Sequence, residues 1–392
     1  MKNIEEISKL IFNSFISLFF CFIRLNNRKV IITSTRNISY NFNSKYLFEY
    51  LTRGEGDGFF DVYYVINDDE KRQQLNTRYS TTRFIESKTL SGTLFCLNAK
   101  FWVSSTFELP VNSLFRNRKR TVLHLGHGVP LKKIGLNEER VSLFKKINRL
   151  IRTRQFTDII CYSEFFKDSM IRTFRNASAN YLYLGQPRND SLFLDKSLAR
   201  KKLQEHSHAN DNAQFILYAP TWRPYKTTVF FPFQLSAPSF GDFLSKENIY
   251  IFIRSHPFYP STISSEVQSI ENIIEFNSDV APEICDYLTG FDGVITDYSS
   301  IYIDYLVTGH KVAFIPYDLT DYKDKVGFCY PYHEFTPGIK IFSQSDLMSF
   351  LLSGDKEFED ERLKIKNITN TKNAGNCFEI VEYLKRSIGP DQ

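Results

Sequence analysis

Short apolar runs alternate with segments of helical hydrophobic spacing along most of the chain. The runs are almost continuously apolar, which is typical of strands in a parallel sheet covered by helices on both faces. The alternation stops at a polar stretch, residues 198–214, and restarts beyond it. Strands are predicted over residues 29–35, 61–68, 99–106, 120–128 and 157–163 before this stretch, and over residues 215–222, 249–257, 272–276, 293–300 and 311–318 after it.

Two successive series of strands predict an α/β protein with two Rossmann-like domains. The 392 residues are enough for two domains of ordinary size. We assign residues 28–197 to the first domain and residues 212–392 to the second, with the polar stretch between them as a linker. Because ligands bind beyond the carboxyl ends of parallel strands, we expect a ligand cleft between the two domains.

The N-terminal segment, residues 1–27, is a separate element. Residues 7–23 are strongly apolar but interrupted by polar side chains, and the run is shorter than the roughly 20 residues of a spanning helix. Lys9 and Arg24 lie at its two ends. This pattern favours a helix that lies in the membrane interface. A buried helix, a spanning helix and a secretion signal are the alternatives.

A second segment, residues 140–156, has the pattern of a basic amphipathic helix. Leu143, Ile147 and Leu150 share one face, and basic residues occupy much of the rest. A basic helix of this kind is typical of proteins that bind a membrane surface, although a solvated surface helix has the same pattern. The candidate membrane contacts are Lys145, Lys146, Arg149 and Arg152.

Charge and cysteine usage narrow the classes of partner and cofactor. The formal net charge of +5 favours anionic partners. The basic residues are scattered, without the aromatic motifs of RNA-binding modules, so we expect no nucleic-acid partner. The six cysteines have no paired spacing and read as reduced thiols. No cluster of metal ligands is visible, so we expect that no metal is required.

Residues 293–305 predict an anion site at the end of a strand. A helix that begins near Ser299 or Ser300 has unpaired N–H groups, and serine hydroxyls add donors for phosphate oxygens. Asp304, one turn further, would accept hydrogen bonds from sugar or polyol hydroxyls. The alternative is that one serine is a plain N-cap. The chain has neither a GxGxxG nor a GxxxxGK[ST] motif, which argues against dinucleotide redox chemistry and P-loop hydrolysis.

Two histidines lie in loops that would face each other across the cleft. His127 lies in a glycine-flanked turn after a first-domain strand, and Lys132 follows it. His256 follows Arg254 at the end of a second-domain strand. Glycine lets the backbone approach a ligand closely, and histidine is the natural general acid or base near neutral pH. A purely structural histidine is the alternative in each case.

These loops together resemble the CDP-glycerol glycerophosphotransferase family, the teichoic-acid primases and polymerases of bacteria. The matching motifs occur in the family's order. They are HGVPLKKIG (127–135), GQPRND (185–190), YAPTWR (218–223), IRSHP (253–257) and DVAPEICDYLTGFDGVITDYSSIYIDY (279–305), with a looser match at VGFCYPYHEFTPG (326–338).

The resemblance implies a glycosyltransferase-B-like fold and a peripheral, monotopic protein on the cytoplasmic face of the membrane. It implies transfer of a polyol phosphate from CDP-glycerol or a related CDP-polyol, with release of CMP. The implied acceptor is an undecaprenyl-diphosphate-linked saccharide or a growing polyol-phosphate chain, in teichoic acid or capsule synthesis. The length is that of the short, primase-like members. The alternative is a nucleotide-sugar-dependent glycosyltransferase of the same architecture.

The resemblance also assigns roles to residues. His127 and His256 match the family's two essential histidines; we expect His127 to be the base, and His256 with Arg254 to stabilise charge on the pyrophosphate. Val129 stands where the family often has threonine, and Gly126 where it often has an aromatic residue. The expected donor-binding residues are Gly128, Lys132, Arg188, Pro220, Thr221, Arg254, Ser299, Ser300 and Asp304.

Overall fold

A computed structural model describes residues 2–54, 58–255, 259, 261–353 and 356–388, with side chains from residue 6 onward. Its first sheet has seven parallel strands, which are almost wholly buried at the centre because both faces are covered. They are β1 (Asn26–Thr33), β2 (Asp61–Val65), β3 (Phe84–Ile85), β4 (Ala99–Ser104), β5 (Thr121–His124), β6 (Asp158–Ile160) and β7 (Asn180–Leu182), in the order β3-β2-β1-β4-β5-β6-β7.

The second sheet has six parallel strands in the order β12-β10-β8-β13-β14-β15. Every strand predicted from the sequence is present in one of the two sheets. The edge strands β3, β7 and β15 were not predicted, because two or three residues carry too little pattern. The later strands are β8 (Gln214–Tyr218), β10 (Ile249–Ile253), β12 (Ile273–Glu275), β13 (Gly293–Thr296), β14 (Lys311–Phe314) and β15 (Ile339–Lys340), with a separate pair β9 (Thr228–Val229) and β11 (Ser261–Thr262).

Helices cover both faces of the sheets, and one helix lies before the first strand. The six cysteines, all within the described residues, form no disulfide bonds. The helices are α1 (Lys2–Phe20), α2 (Phe42–Thr52), α3 (Asp69–Arg78), α4 (Leu90–Leu97), α5 (Leu143–Thr153), α6 (Lys167–Phe174), α7 (Lys196–Ser207), α8 (Ala237–Lys246), α9 (Ser265–Gln268), α10 (Ile301–Tyr305), α11 (Leu319–Lys325), α12 (Gln344–Leu352), α13 (Glu359–Thr369) and α14 (Asn376–Arg386).

The polar stretch predicted as a linker forms most of helix α7 instead. Leu203 and Ala199 are buried against residues 288–290 of the second domain. Arg200 forms an ion pair with Asp292 at 3.1 Å. The helix exposes all but one narrow face, so its sequence is polar and its helical spacing is weak.

The last helix, α14, returns to the first domain, which the predicted second-domain range of 212–392 did not anticipate. It packs on α2 and on residues 187–193. The Asp190 carboxylate accepts hydrogen bonds from the first N–H groups of the helix, those of Asn376 at 2.8 Å and Cys377 at 2.9 Å. Tyr383 donates its hydroxyl to Asp158 at 2.6 Å. The contacts of α14 therefore hold the two domains together in addition to the covalent connection between them.

Helix α1 buries two serines and exposes most of its apolar residues. Ser14 and Ser17 are buried, and Ser14 Oγ accepts a hydrogen bond from the Leu114 N–H at 2.9 Å. Phe15, on the opposite face, is 62% exposed. A plain buried helix would have the reverse arrangement. Of the helices in the described ranges, none combines the length and apolar character needed to cross a bilayer.

Helix α5 is basic and amphipathic as predicted, but its cations divide between two directions. Lys145 and Lys146 are exposed beside Leu143, which is 73% exposed. Arg149 instead donates to the Gly135 carbonyl at 2.6 Å and pairs with Glu138 at 2.7 Å.

Arg152 also turns inward, to Glu108 at 3.5 Å. Arg149 and Arg152 thus have partners within the protein, which does not favour their predicted membrane contact; that contact stays a prediction. Helices α1 and α5 meet where Asn148 contacts Glu6 at 3.5 Å. Their exposed apolar side chains form what we call the outer apolar surface: Ile7, Ile11, Phe15, Leu18, Phe19, Phe22, Leu143, Phe144 and Ile147.

Candidate active site

The cleft between the sheets is closed at one point by the turn after β5. At Gly128 the backbone has φ +135°, and a Cβ atom there would lie 2.9 Å from Ser300 Oγ and 3.2 Å from Arg188 Nη2. Only glycine permits both the conformation and this approach. The structure thus brings the turn of the first domain against the first residues of α10 in the second domain.

The neighbouring Gly126 explains one departure from the family pattern. It has φ +71°, and a Cβ atom there would lie 1.6 Å from the Tyr162 hydroxyl oxygen. Tyr162 is buried and donates to the Leu125 carbonyl at 3.1 Å. The space beside residue 126 is therefore already filled by an aromatic side chain from the segment that follows β6. The second departure, Val129, is buried in the core.

His127 is oriented by contacts that the sequence did not reveal. Its Nδ1 lies 3.0 Å from the Ser105 carbonyl oxygen, which assigns the proton to Nδ1 and leaves Nε2 as an acceptor. The ring stacks on Phe42, with centroids 4.8 Å apart. Phe42 has a left-handed backbone (φ +58°), and its N–H donates to Glu283 of the second domain at 3.1 Å. The imidazole edge is exposed to the cleft.

The surroundings of His127 favour the neutral imidazole. Desolvation by surrounding protein lowers its pKa, and the positive charge of Arg188 lowers it further. The hydrogen bond to Ser105 and the charge of Glu108 oppose this shift without reversing it. A histidine that is neutral near pH 7, with Nε2 free, is in the form that a general base requires.

Arg188 and Asp304 form a buried ion pair across the domain boundary. Arg188 also donates to the His127 carbonyl at 2.9 Å, and Gln186 donates to Asp304 at 2.7 Å. Burial opposes the charge of Arg188, but the Asp304 carboxylate outweighs it, so the pKa of the guanidinium is raised. Both Asp304 oxygens are occupied, which favours a role in positioning Arg188; the polyol contact stays a prediction.

The two serines at the start of α10 differ in whether they cap the helix. Ser299 Oγ accepts a hydrogen bond from the Ile301 N–H at 3.4 Å, a weak cap. Ser300 is the N-cap residue but makes no side-chain cap bond, and its hydroxyl faces Gly128. Because α10 has only five residues, free N–H groups rather than a large helix dipole would attract an anion here.

A network of buried charges lies in the second domain, after strands β8, β13 and β14. Arg223, fully buried, lies between Asp297 and Asp318 and donates to Asp318 Oδ1 at 2.7 Å. Asp297 Oδ1 accepts the Thr221 N–H at 2.7 Å, next to Pro220. Arg223 belongs to the YAPTWR motif, but no role was predicted for it. The sequence did contain a signal for this network, because one arginine and two aspartates follow three neighbouring strands.

Lys132 lies half-buried near this network and is suited to receive an anion. Burial lowers its pKa to about 8; Asp297 opposes that shift and Arg223 adds to it. Asp297 is already paired with Arg223. A bound phosphate would supply the negative charge that Lys132 otherwise lacks.

Arg254 makes contacts that the sequence did not predict. Arg254 donates to the carbonyls of Ala281 at 2.8 Å and Phe276 at 3.2 Å, so its guanidinium holds the loop after β12. This geometry favours a structural role over a donor contact. His256 lies outside the described residues, and its role stays a prediction. Within the described ranges, no group of three or more His, Cys, Asp or Glu side chains could hold a metal ion.

Comparison with known proteins places this site in a family. A family model described as CDP-Glycerol:Poly(glycerophosphate) glycerophosphotransferase matches residues 15–375. The chain is 26% identical over 378 residues to the teichoic acid poly(glycerol phosphate) polymerase of Bacillus spizizenii, covering 92% of this chain and 89% of that relative. It is 25% identical to the teichoic acid glycerol-phosphate transferase of Staphylococcus aureus, covering 91% of each.

The fold agrees with these similarities. A solved structure of the wall teichoic acid polymerase TagF matches with a TM-score of 0.77 at 19% identity, over 99% of this chain and 97% of that chain. The expected glycosyltransferase-B-like α/β architecture is confirmed. Because the family model spans nearly the whole chain, this protein belongs to the CDP-glycerol glycerophosphotransferase family of transferases.

Proposed function

We propose that this enzyme transfers glycerol phosphate from CDP-glycerol to a hydroxyl of a membrane-held, lipid-linked saccharide or polyol-phosphate chain in teichoic acid synthesis. The observation that carries the proposal is the placement of His127. Its ring is exposed and favours the neutral form with Nε2 as an acceptor, and the next residue, Gly128, lies against Ser300 and Arg188. Family membership supports the donor, and a TagF structure soaked with CDPG belongs to the same fold.

In the proposed reaction, the acceptor hydroxyl attacks the β-phosphorus of CDP-glycerol in line. His127 Nε2 takes the hydroxyl proton as the new P–O bond forms. The bond from the β-phosphorus to the bridging oxygen breaks, and CMP leaves with the bonding electron pair. Ser300, the free N–H groups of α10 and Lys132 would stabilise charge on the pyrophosphate, so positioning and electrostatics supply most of the rate.

A polar cavity supports an acceptor site on the first domain. It has a volume of about 700 Å³ and lies beyond the carboxyl ends of β1, β2 and β4, between α1 and α5. Asn37 Oδ1 and Asn112 Oδ1 in its lining are buried without a hydrogen-bond partner, so hydroxyl donors fit here. Glu108 in the lining is three residues from Ser105, which holds His127, a span of at most about 10 Å.

The outer apolar surface borders this cavity, because both are built by α1 and α5. Exposed apolar helix faces with flanking Lys145 and Lys146 fit a membrane interface. We therefore propose a peripheral protein at the cytoplasmic face of the membrane, with the acceptor's polar head in the cavity and its lipid in the bilayer. The acceptor would then reach His127 without leaving the membrane.

CDP-glycerol labelled in its β-phosphate tests the reaction class. With purified enzyme and a membrane extract as acceptor, we expect CMP release and label in the lipid-linked product. CDP-ribitol is the matched donor, and we expect it to be used more slowly. A nucleotide-sugar transferase would release no CMP from either donor and would place no phosphate in the product. That outcome would remove the proposed function and leave the alternative.

Lys132 predicts a pH dependence of donor binding. Lys132 should be protonated below its pKa of about 8, so the affinity for CDP-glycerol should fall as the pH rises through that value. Lys132→Met should weaken binding about tenfold at neutral pH, the worth of one charge-assisted hydrogen bond. Lys132→Arg should keep affinity at alkaline pH, because arginine stays charged. Calorimetric titration of the three proteins measures this, and parallel pH curves would contradict the assignment.

A further inference from the structure

A second cavity lies at the opposite edge of the first sheet. It is formed by the end of α1, the loop that precedes β5 and the end of α5, and has a volume of about 1150 Å³. We call it the amino-edge cavity. Its lining includes apolar Leu18, Phe22, Ile23, Leu114 and Phe115 and basic Arg24, Arg116, Arg118, Lys119 and Arg154.

The side chains that line the amino-edge cavity bring positive charge that no described lining residue neutralises. Five cationic side chains line it and, of the described residues that do so, none is acidic. The Asp158 carboxylate acts to raise the pKa of Arg116. It is buried, however, and already accepts hydrogen bonds from Asn180 at 2.9 Å and Tyr383 at 2.6 Å. Burial lowers the pKa of Arg116, so a bound anion would relieve a desolvated charge.

The walls of this cavity are held in place by hydrogen bonds. Asn117 donates to the carbonyls of Phe20 at 2.7 Å and Ile23 at 3.0 Å, which ties the end of α1 to the basic loop. Gln155 donates to the Ser113 carbonyl at 2.9 Å and ties the end of α5 to the same loop. The cations are therefore presented by a fixed frame rather than by a loose surface segment.

This cavity is separate from the catalytic cleft. Arg116 and Lys119 precede β5, whereas His127 follows it. The four residues of the strand put about 13 Å between the two edges. A ligand in the amino-edge cavity would therefore be neither the donor nor the reacting end of the acceptor.

The rim of the cavity merges with the outer apolar surface. Phe22 is 88% exposed at this rim, and Leu114 and Phe115 are also exposed. Fixed cations beside exposed apolar side chains match a molecule with a phosphate head and an acyl tail. We propose that the amino-edge cavity binds the head group of an anionic phospholipid, a site distinct from acceptor and donor sites that fixes the enzyme's orientation on the membrane.

Vesicle co-sedimentation with paired charge variants tests this assignment. The vesicles are phosphatidylcholine alone or with about 30% phosphatidylglycerol. Both variants remove three exposed cations, so their net charges are equal. The cavity variant carries R24Q, R118Q and K119Q, and the control variant carries K201Q, K246Q and K364Q from the second domain.

We expect the cavity variant to bind anionic vesicles at least about tenfold more weakly than the control, since each basic residue at a membrane contributes about fivefold. Binding of both to neutral vesicles should be equal, because it reports only on the outer apolar surface. Equal losses in the two variants would overturn the proposal. Calorimetric binding of inorganic phosphate to the wild type, without preference for anionic vesicles, would also overturn it by showing a soluble-anion site. Neither result depends on turnover, so the proposed reaction is tested separately.

Discussion

Replacing His127 with alanine is expected to lower the rate of CMP release from CDP-glycerol by about 10²- to 10⁴-fold, the usual contribution of a general base. The loss should fall on kcat, because Nε2 contacts the acceptor proton only as the reaction proceeds. Donor binding should change little, since the Arg188 contact to residue 127 uses the main-chain carbonyl. Single-turnover measurement of CMP release, beside calorimetric binding of CDP-glycerol, separates the two effects.

The pH profile adds a test that alanine substitution alone cannot give. Because the His127 pKa is lowered from 6.5, the acidic limb of the wild-type kcat/KM profile should have its midpoint below pH 6.5. His206→Ala, which changes an exposed histidine in α7, is the matched control and should keep the wild-type rate and profile. An acidic limb centred above 6.5, or substantial activity in His127→Ala, would contradict the assignment of the base.

The strands and the loops of the site were predictable because each depends on local sequence. Buried strands are short apolar runs, and the polar residues that follow them meet at one edge of a parallel sheet. This was enough to predict a cleft between the domains lined by these loops, but not which loop residues touch. The partners of His127 were not predictable, since Phe42 and Ser105 are 85 and 22 positions away and neither belongs to a polar motif. Stacking and carbonyl contacts of this kind leave no signature in a single sequence.

The face of a helix that packs on the protein was harder to predict than the position of the helix in the chain. The serines in α1 interrupt an apolar run and read as a weakness in the helix, yet Ser14 and Ser17 are the residues that pack on the domain. The same limit applies to α5, where Arg149 and Arg152 turn toward acceptors contributed by distant segments. Direction depends on what the rest of the chain places beside a helix, and hydrophobic periodicity alone does not contain that information.

The Arg223 network is expected to give the largest loss of stability from a single substitution. Arg223→Leu removes the cation between two buried carboxylates: Asp297 loses its ion pair, and Asp318 keeps the pair with partly exposed Lys226 at 3.0 Å. Breaking a buried pair in this way costs about 3–5 kcal/mol. Arg53→Leu, which breaks the exposed pair with Glu49, should cost less than about 1 kcal/mol. Urea unfolding monitored by circular dichroism compares the free energies of unfolding.

The loss of stability in Arg223→Leu should depend on pH, and the carboxyl pKa determines the direction of that dependence. In the wild type, burial acts to raise the pKa of Asp318 but Arg223 outweighs it, and the pKa falls to about 2. That carboxylate stabilises the fold above its unfolded pKa of 3.8, and the benefit is lost as the pH falls towards 2. Without Arg223, Lys226 and Tyr298 still oppose burial at Asp318, but the pKa of that carboxyl rises and the protonated acid is favoured more than in the wild type. Its deficit should therefore shrink as the pH is lowered from about 8 to about 5, because protonation removes the uncompensated charge. A deficit that stays constant over this range would show that lost packing, rather than buried charge, explains the effect.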